Sequence, residues 1–164
     1  MEKKINIGDI IEIKTSKGLA YVQYTHEFTT HPKLGSLIRV LPGIYEKRPK
    51  NFKDIASQHA TFVIFLTLQH AVDENHVEIV DNQPIPLDAQ ILPIFRCGIP
   101  DPESKKVEVW SIWDSKKEWK VGASIEVRNL TDEQKRLPIL EIIGDELLAE
   151  RIVSGWTPEN DPGT

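Results

Sequence analysis

The fold is decided near the start of the chain, by the stretch IGDIIEIKTSKGLAYVQY that runs from Ile7 to Tyr24. Two runs rich in β-branched and aromatic side chains, 9–14 and 19–25, flank a turn that contains Gly18. Two such runs around a glycine-containing turn are typical of a β-hairpin. The stretch therefore predicts that the protein begins with a pair of antiparallel strands.

Further strand signals follow this hairpin. Residues 37–41 and 77–80 form short apolar runs, and residues 60–68 form a longer one that is nearly all apolar. A continuous run of β-branched and aromatic residues is typical of a strand buried on both faces, so 60–68 is the predicted central strand. A second hairpin is predicted from runs at 107–113 and 118–121.

Short helices are predicted at three places. Asn51 is a suitable cap for a helix whose apolar stripe covers 52–59, and this stripe predicts a partly buried His59. A capping box at 131–134 predicts a helix of about two turns. The clearest helix is 145–154, because acidic residues favour its positive N-terminus and a glycine follows its last residue.

The order of these elements indicates the fold class. Strands come first, then a small helix, more strands, and short helices at the C-terminal end. We therefore expect an α+β fold that is mainly β, with a small curled antiparallel sheet or partly open barrel and short C-terminal helices packed at one end. The 164 residues fit a single domain, 1–164. Five prolines predict irregular, edge or turn structure over 81–102, and any seam between two lobes is expected near 98–103.

The charge of the chain is unevenly distributed. The sequence holds 25 acidic and 20 basic side chains, a net charge of −5. Residues 139–164 contain six acids and one base, Arg151, so the rest of the chain is balanced. An acidic end disfavours nucleic acid and favours a basic protein partner, although a solvated helix face that aids solubility is the alternative.

The apolar runs and the single cysteine indicate the compartment. The longest apolar run, 62–66, is far shorter than a membrane span, and the N-terminus lacks the apolar core of a secretory signal. Cys97 is the only cysteine and cannot form an internal disulfide. We expect a soluble cytoplasmic protein that has no contact with membranes.

No pattern along the sequence predicts catalysis. His26 and His31 are five residues apart, whereas a zinc-protease helix needs histidines four apart, so both are predicted to lie in a loop. Cys97 has no histidine beside it to act as a base. We therefore expect a non-enzymatic protein without metal or cofactor. Distant residues could still assemble a site, for which two of His26, His31, His59 and His70 beside a carboxylate are the candidates.

One set of residues predicts a protein-binding surface. Trp110 and Trp113 point to opposite faces of a strand, so both are not expected to enter the same core, and at least one should meet solvent, a helix or a partner. The alternative is that the tryptophans pack beneath Leu147, Leu148 and Ile152. The candidate contacts are Trp110, Trp113, Trp119, Glu146, Glu150 and Trp156.

A second set predicts a different function. Basic and aromatic side chains alternate over 45–53, which is the composition of a small-barrel protein that binds single-stranded nucleic acid. A solvated loop beside a helix is the competing interpretation, and it is favoured by the acidic net charge. The candidate contacts are Tyr45, Lys47, Arg48, Lys50 and Lys53.

The opening stretch also resembles a known family. Gly8 and Asp9 enter the first predicted strand, Gly18 forms the turn, and Tyr21 lies on the second strand. This pattern, over about the first 65 residues, is similar to the start of the immunity protein 26-like family. The resemblance implies a bacterial cytoplasmic protein that neutralises a toxin by direct contact, for which the acidic C-terminal helix would suit a basic toxin face. The sequence leaves the oligomeric state open.

Overall fold

The computed structural model describes residues 2–29, 33–114 and 125–164. In these ranges the chain forms nine strands, five α-helices and one 3-10 helix, so the α+β, mainly β class is confirmed. The strands are β1 (Asp9–Thr15), β2 (Gly18–Phe28), β3 (Gly35–Val40), β4 (Phe62–Leu66), β5 (Glu78–Asn82), β6 (Ile94–Cys97), β7 (Trp110–Asp114), β8 (Ile125–Val127) and β9 (Ile142–Ile143). The helices are α1 (Lys53–Ala56), α2 (Leu68–Asp73), α3 (Leu87–Gln90), α4 (Asp132–Lys135), α5 (Asp145–Ser154) and the 3-10 helix Pro158–Asn160.

The first sheet has six strands in the order β5-β1-β2-β3-β4-β9. The predicted hairpin is confirmed, with β1 and β2 paired antiparallel up to Thr15 and Gly18 at the turn. All neighbours are antiparallel except β4 and β9, which are parallel. Strands β5 and β9 lie at the two edges, so within the described residues this sheet is open rather than a closed barrel.

The core of this sheet follows from its apolar strands. The predicted central strand is confirmed as β4, which lies between β3 and β9. On another part of the sheet, Ile10 and Tyr21 form a buried cluster with Leu41, Phe52 and Ile55. Ile55 belongs to α1, and Phe52 directly precedes this helix. Their burial in the cluster stabilises so short a helix in this position.

The second sheet has three antiparallel strands in the order β6-β7-β8. In the described residues β6 lies at the edge of this sheet, which is one of the forms predicted for 81–102, and the prolines precede and follow the strand without interrupting it. The predicted strand at 107–113 is confirmed in part by β7, whose neighbour is β8. The predicted strand at 118–121 lies outside the described residues.

The chain divides into two compact units. The first comprises Met1–Ile91 and Ile142–Gly155, and the second comprises Leu92–Glu141 and Trp156–Thr164. The expected seam at 98–103 therefore lies inside the second unit. That the chain behaves as a single domain stays a prediction.

The helices show which local sequence signals were sufficient to predict a helix and its bounds. The capping box of α4 is present, and α5 has the predicted bounds. Helix α1 ends at Ala56, so the apolar stripe does not continue to His59, whose side chain is 91 % exposed. The prediction of a partly buried His59 is wrong for this reason. No helix in the described ranges has the length and apolar character needed to cross a membrane.

Candidate protein-binding surface on helix α5

Helix α5 is held against the first sheet by one face. It begins after Gly144 and ends at Gly155, which adopts a left-handed conformation with φ of 70°. Leu148 is fully buried, and the helix contacts β1. Asp145 and Glu146 lie in the first turn, where a negative charge interacts favourably with the helix dipole.

The exposed surface of α5 carries both acidic and apolar side chains. Glu146 and Glu150 are exposed and four residues apart, so they are neighbours on the helix surface. Leu147 lies beside them and is 40 % exposed, and Ile142, in the strand that leads into the helix, is 49 % exposed. Neither glutamate forms an ion pair or side-chain hydrogen bond with a described residue. We call Glu146, Leu147 and Glu150 the acidic face of α5.

The tryptophans occupy a different environment from the one expected. Trp110 and Trp113 are both 3 % exposed, so both are buried even though they lie on opposite faces of β7. Trp110 packs with Val107 and Ile139, while Trp113 stacks on Phe95 with ring centroids 5.7 Å apart. The alternation argument placed the two rings correctly. They pack in separate groups, as expected, but neither of them is exposed to solvent.

Trp156 is not a fully exposed anchor either. Trp156 is half-buried against the cluster around Trp110, and its indole N–H donates to Asp161 at 3.0 Å. Trp119 lies outside the described residues. The glutamates of α5 are therefore the members of the predicted protein-binding set that the structure presents to solvent.

The basic and aromatic segment is also largely engaged within the chain. Tyr45 and Phe52 pack around Tyr21 in the core, with centroid distances to it of 5.7 and 4.9 Å. Arg48 binds Glu12 through two nitrogens, at 2.7 and 3.1 Å, and reaches Glu78 at 2.8 Å. Three lysines of the segment remain exposed: Lys47, Lys50 and Lys53.

Arg48 compensates an unfavourable strand pair. Glu12 and Glu78 are directly opposite each other on β1 and β5, where like charges repel. The hydrogen bond from Arg48 lowers the pKa of Glu12 below its ordinary value, while burial and the hydrogen bond to Glu12 raise the pKa of Tyr21. Glu12 is thus ionised and Tyr21 neutral at pH 7, so this cluster does not exchange protons near neutrality.

The histidines do not converge on one site within the described ranges. His26 lies on β2 rather than in the predicted loop, and its ring nitrogens contact Thr25 and the carbonyl oxygen of Gln90 at 3.0 Å each. His59 contacts Asp88 at the surface, and His70 lies 6.0 Å from the ring of His76. Across the described residues, no group of three or more potential ligands could hold a metal ion. His31 lies outside these residues.

Cys97 has an environment that disfavours reactivity. It is half-buried in β6, and this burial raises the pKa of its thiol. A raised pKa leaves little thiolate at neutral pH, and the thiolate is the nucleophilic form.

Comparison with known proteins gives no relative for this chain: no protein-family model, curated protein or solved structure matches it.

Proposed function

We propose that this protein is a non-enzymatic binding module that recognises a basic protein partner through the acidic face of α5. The observation that carries the proposal is the exposure of Glu146 and Glu150, free of ion pairs with described residues, beside the exposed Leu147. Protein interfaces combine apolar contacts with polar and charged side chains at their rim. The partner that suits it carries lysine or arginine around a small apolar contact.

The resemblance to the immunity protein 26-like family supports a more specific form of the proposal. In that form the protein acts in the bacterial cytoplasm and neutralises a toxin by covering its basic face. Such a task needs complementary shape and charge and no chemistry. It predicts that the gene immediately upstream encodes a toxin.

Nucleic acid is the less favoured partner. In the 45–53 segment Phe52 is buried, Tyr45 is partly buried against Tyr21 and Arg48 is bound by two carboxylates, so three lysines remain. Single-strand binding depends on aromatic rings on which bases stack, and neither Tyr45 nor Phe52 is presented for stacking.

The first experiment identifies the partner at the proposed surface. A photoreactive amino acid at Leu147 should cross-link to a basic protein in the native cell, with the same probe at the exposed Glu103 as the control position. Binding of the purified partner is then compared between the wild type and Glu146→Lys/Glu150→Lys. Because charge steers association, the double variant should associate about tenfold more slowly at low salt and should show a weaker salt dependence.

A matched variant controls for net charge and stability. Glu74→Lys/Glu103→Lys makes the same charge change at two other exposed positions and should leave association within about twofold of the wild type. The single variant Glu150→Lys tests the same face without placing a positive charge in the first turn of α5, where the helix dipole disfavours it. Equal association rates for the wild type and the α5 double variant would show that the partner binds elsewhere.

A further inference from the structure

The first unit contains an open cleft of about 480 Å³ beside the end of β5. Its walls include the apolar Ile7 and Ile85 and the polar His26, Asn82 and Gln90. This volume is within the range of roughly 300–1,000 Å³ that is typical of ligand sites. None of the described residues that line it is a lysine or an arginine.

The orientation of two side-chain amides in the cleft is determined by their partners. The nitrogen of Asn82 lies 3.1 Å from the carbonyl oxygen of Ile7 and 2.9 Å from a carboxylate oxygen of Asp9. The nitrogen of Gln83 lies 2.8 Å from a carboxylate oxygen of Asp81. Carbonyl and ionised carboxylate oxygens accept hydrogen bonds and do not donate, so these ends of the two amides must be nitrogen.

The same reasoning applies to Gln90 and His26. The Gln90 side-chain nitrogen donates to the carbonyl oxygen of Ile85 at 2.8 Å. The backbone carbonyl oxygen of Gln90 accepts from Nε2 of His26, whose other ring nitrogen contacts Thr25. Both nitrogens of the histidine are therefore used within the chain.

The three amides consequently retain more hydrogen-bond acceptors than donors. The amide oxygens of Asn82, Gln83 and Gln90 have no hydrogen-bond partner among the described residues. Asn82 has used both of its N–H groups, while each glutamine retains one. Three carbonyl-type oxygens, with two lone pairs each, thus stand against two N–H groups.

The charges behind these amides have mainly the same sign. Asp9 and Asp81 accept from Asn82 and Gln83, so their negative charges lie within hydrogen-bond distance of two lining amides. The buried Arg39 opposes them, because it donates to Gln23, which donates in turn to the backbone of Gln83. Of these three groups two are carboxylates and one is a guanidinium, so their summed charge favours a cation.

We propose that this cleft binds a guanidinium or alkylammonium group carried on a short apolar stem, with the guanidinium preferred. The cation would donate to the amide oxygens while its stem lies against Ile7, Pro84 and Ile85. A guanidinium has five N–H groups in one plane and can serve several carbonyl-type acceptors at once, which an ammonium matches less well. This site is separate from the acidic face of α5 and does not depend on the function proposed for it.

A titration with a matched pair of ligands tests the site. N-acetyl-arginine N-methylamide should shift the side-chain amide NMR signals of Asn82, Gln83 and Gln90. The citrulline analogue has the same shape but no charge, and it should bind at least about tenfold more weakly, because hydrogen bonds to charged groups are the stronger ones. Equal binding of the two analogues, or shifts confined to another surface, would overturn the proposal.

Substitutions in the cleft give an independent test. Gln90→Met removes one amide oxygen, keeps the backbone contact to His26 and should weaken arginine binding about three- to tenfold. Gln58→Met, at an exposed position outside the cleft, should leave binding unchanged. Wild-type affinity in the Gln90 variant would contradict the assignment. A glycine-flanked arginine peptide distinguishes a protein ligand from a small-molecule ligand. Tighter binding of the peptide than of the free analogue indicates that the guanidinium comes from a protein side chain. Equal or weaker binding indicates a small molecule.

Discussion

At the scale of single residues, the buried charges of Glu12 and Arg39 are important for the first unit. Glu12 is 4 % exposed and binds Arg48 and Tyr21, and Arg39 is 1 % exposed. Arg39 donates to Gln23 and to two backbone carbonyl groups, one at the last residue of α1 and one just after the helix. Buried charges are tolerated when every hydrogen bond is made, so these residues should be sensitive to small chemical changes.

Glu12→Gln should reduce the free energy of unfolding by about 1–2 kcal/mol at pH 7. Arg48 holds the pKa of Glu12 below its ordinary value of 4.5, so the stabilisation is complete above that pH and is lost as the pH falls through the lowered pKa. The difference between the variant and the wild type should therefore shrink in acid. Urea unfolding at pH 7 and at an acidic pH below the lowered pKa of Glu12 measures this difference. Glu78→Gln is the control and should cost under about 0.5 kcal/mol.

Arg39→Lys should cost about 2–4 kcal/mol, although it conserves the charge. An ammonium group on a single nitrogen cannot reproduce the planar fork that contacts Gln23 and two carbonyl groups, so acceptors are left unsatisfied. Arg128→Lys, at a side chain that is 67 % exposed, is the matched control and should be nearly neutral. Equal unfolding midpoints for both variants would show that the Arg39 contacts do not stabilise the fold.

At the scale of elements, the β1–β2 turn is the most constrained connection. Gly18 has φ of +134°, and a Cβ atom placed on it would lie 2.7 Å from the carbonyl oxygen of Tyr45. That carbonyl accepts from the N–H of Leu19 at 2.7 Å, so the hairpin is fastened to the segment that carries Arg48. The turn therefore needs glycine for its conformation and also for the close approach of the backbone at Tyr45.

Gly18→Ala should lower the free energy of unfolding by about 2–3 kcal/mol, from backbone strain and this contact together. Gly35→Ala separates the two causes, since Gly35 has φ of +80° and no atom within 4 Å of its added Cβ. It should cost only about 1 kcal/mol. Thermal or urea unfolding of the pair measures the difference, and equal losses would mean that the contact with Tyr45 is unimportant.

At the scale of the whole molecule, the chain crosses between its two units three times. The first unit receives β9 and α5 only after the chain has formed most of the second. The aromatic residues report on the units separately, because all four tryptophans lie in the sequence ranges of the second and all three tyrosines in those of the first. Each unit can thus be followed in the same sample.

We expect the two units to unfold in one transition, because β9 and α5 tie the first unit to a chain that passes through the second. Tryptophan fluorescence and hydrogen exchange of β1 to β4 should give the same urea midpoint. Two separated midpoints would contradict the single-domain prediction. They would instead assign independent stability to the units.

Features that depend on neighbours along the chain were predicted well. The β1–β2 hairpin, the capping box of Thr131 and Gln134, and the bounds of α5 all follow from turn and cap chemistry within a few residues. The glutamates of the candidate surface were found in the same way, from the charge of one helix.

The sequence by itself thus determined the class of the fold, its opening hairpin and the acidic helix, because hydrogen bonds and alternation act locally. Only the tertiary structure decided the parallel pairing of β4 with β9, the burial of both Trp110 and Trp113, and the capture of Arg48 by Glu12. It also decided which way the amides of the cleft point. Each of these depends on which distant segments meet, and no periodicity within a single segment carries that information.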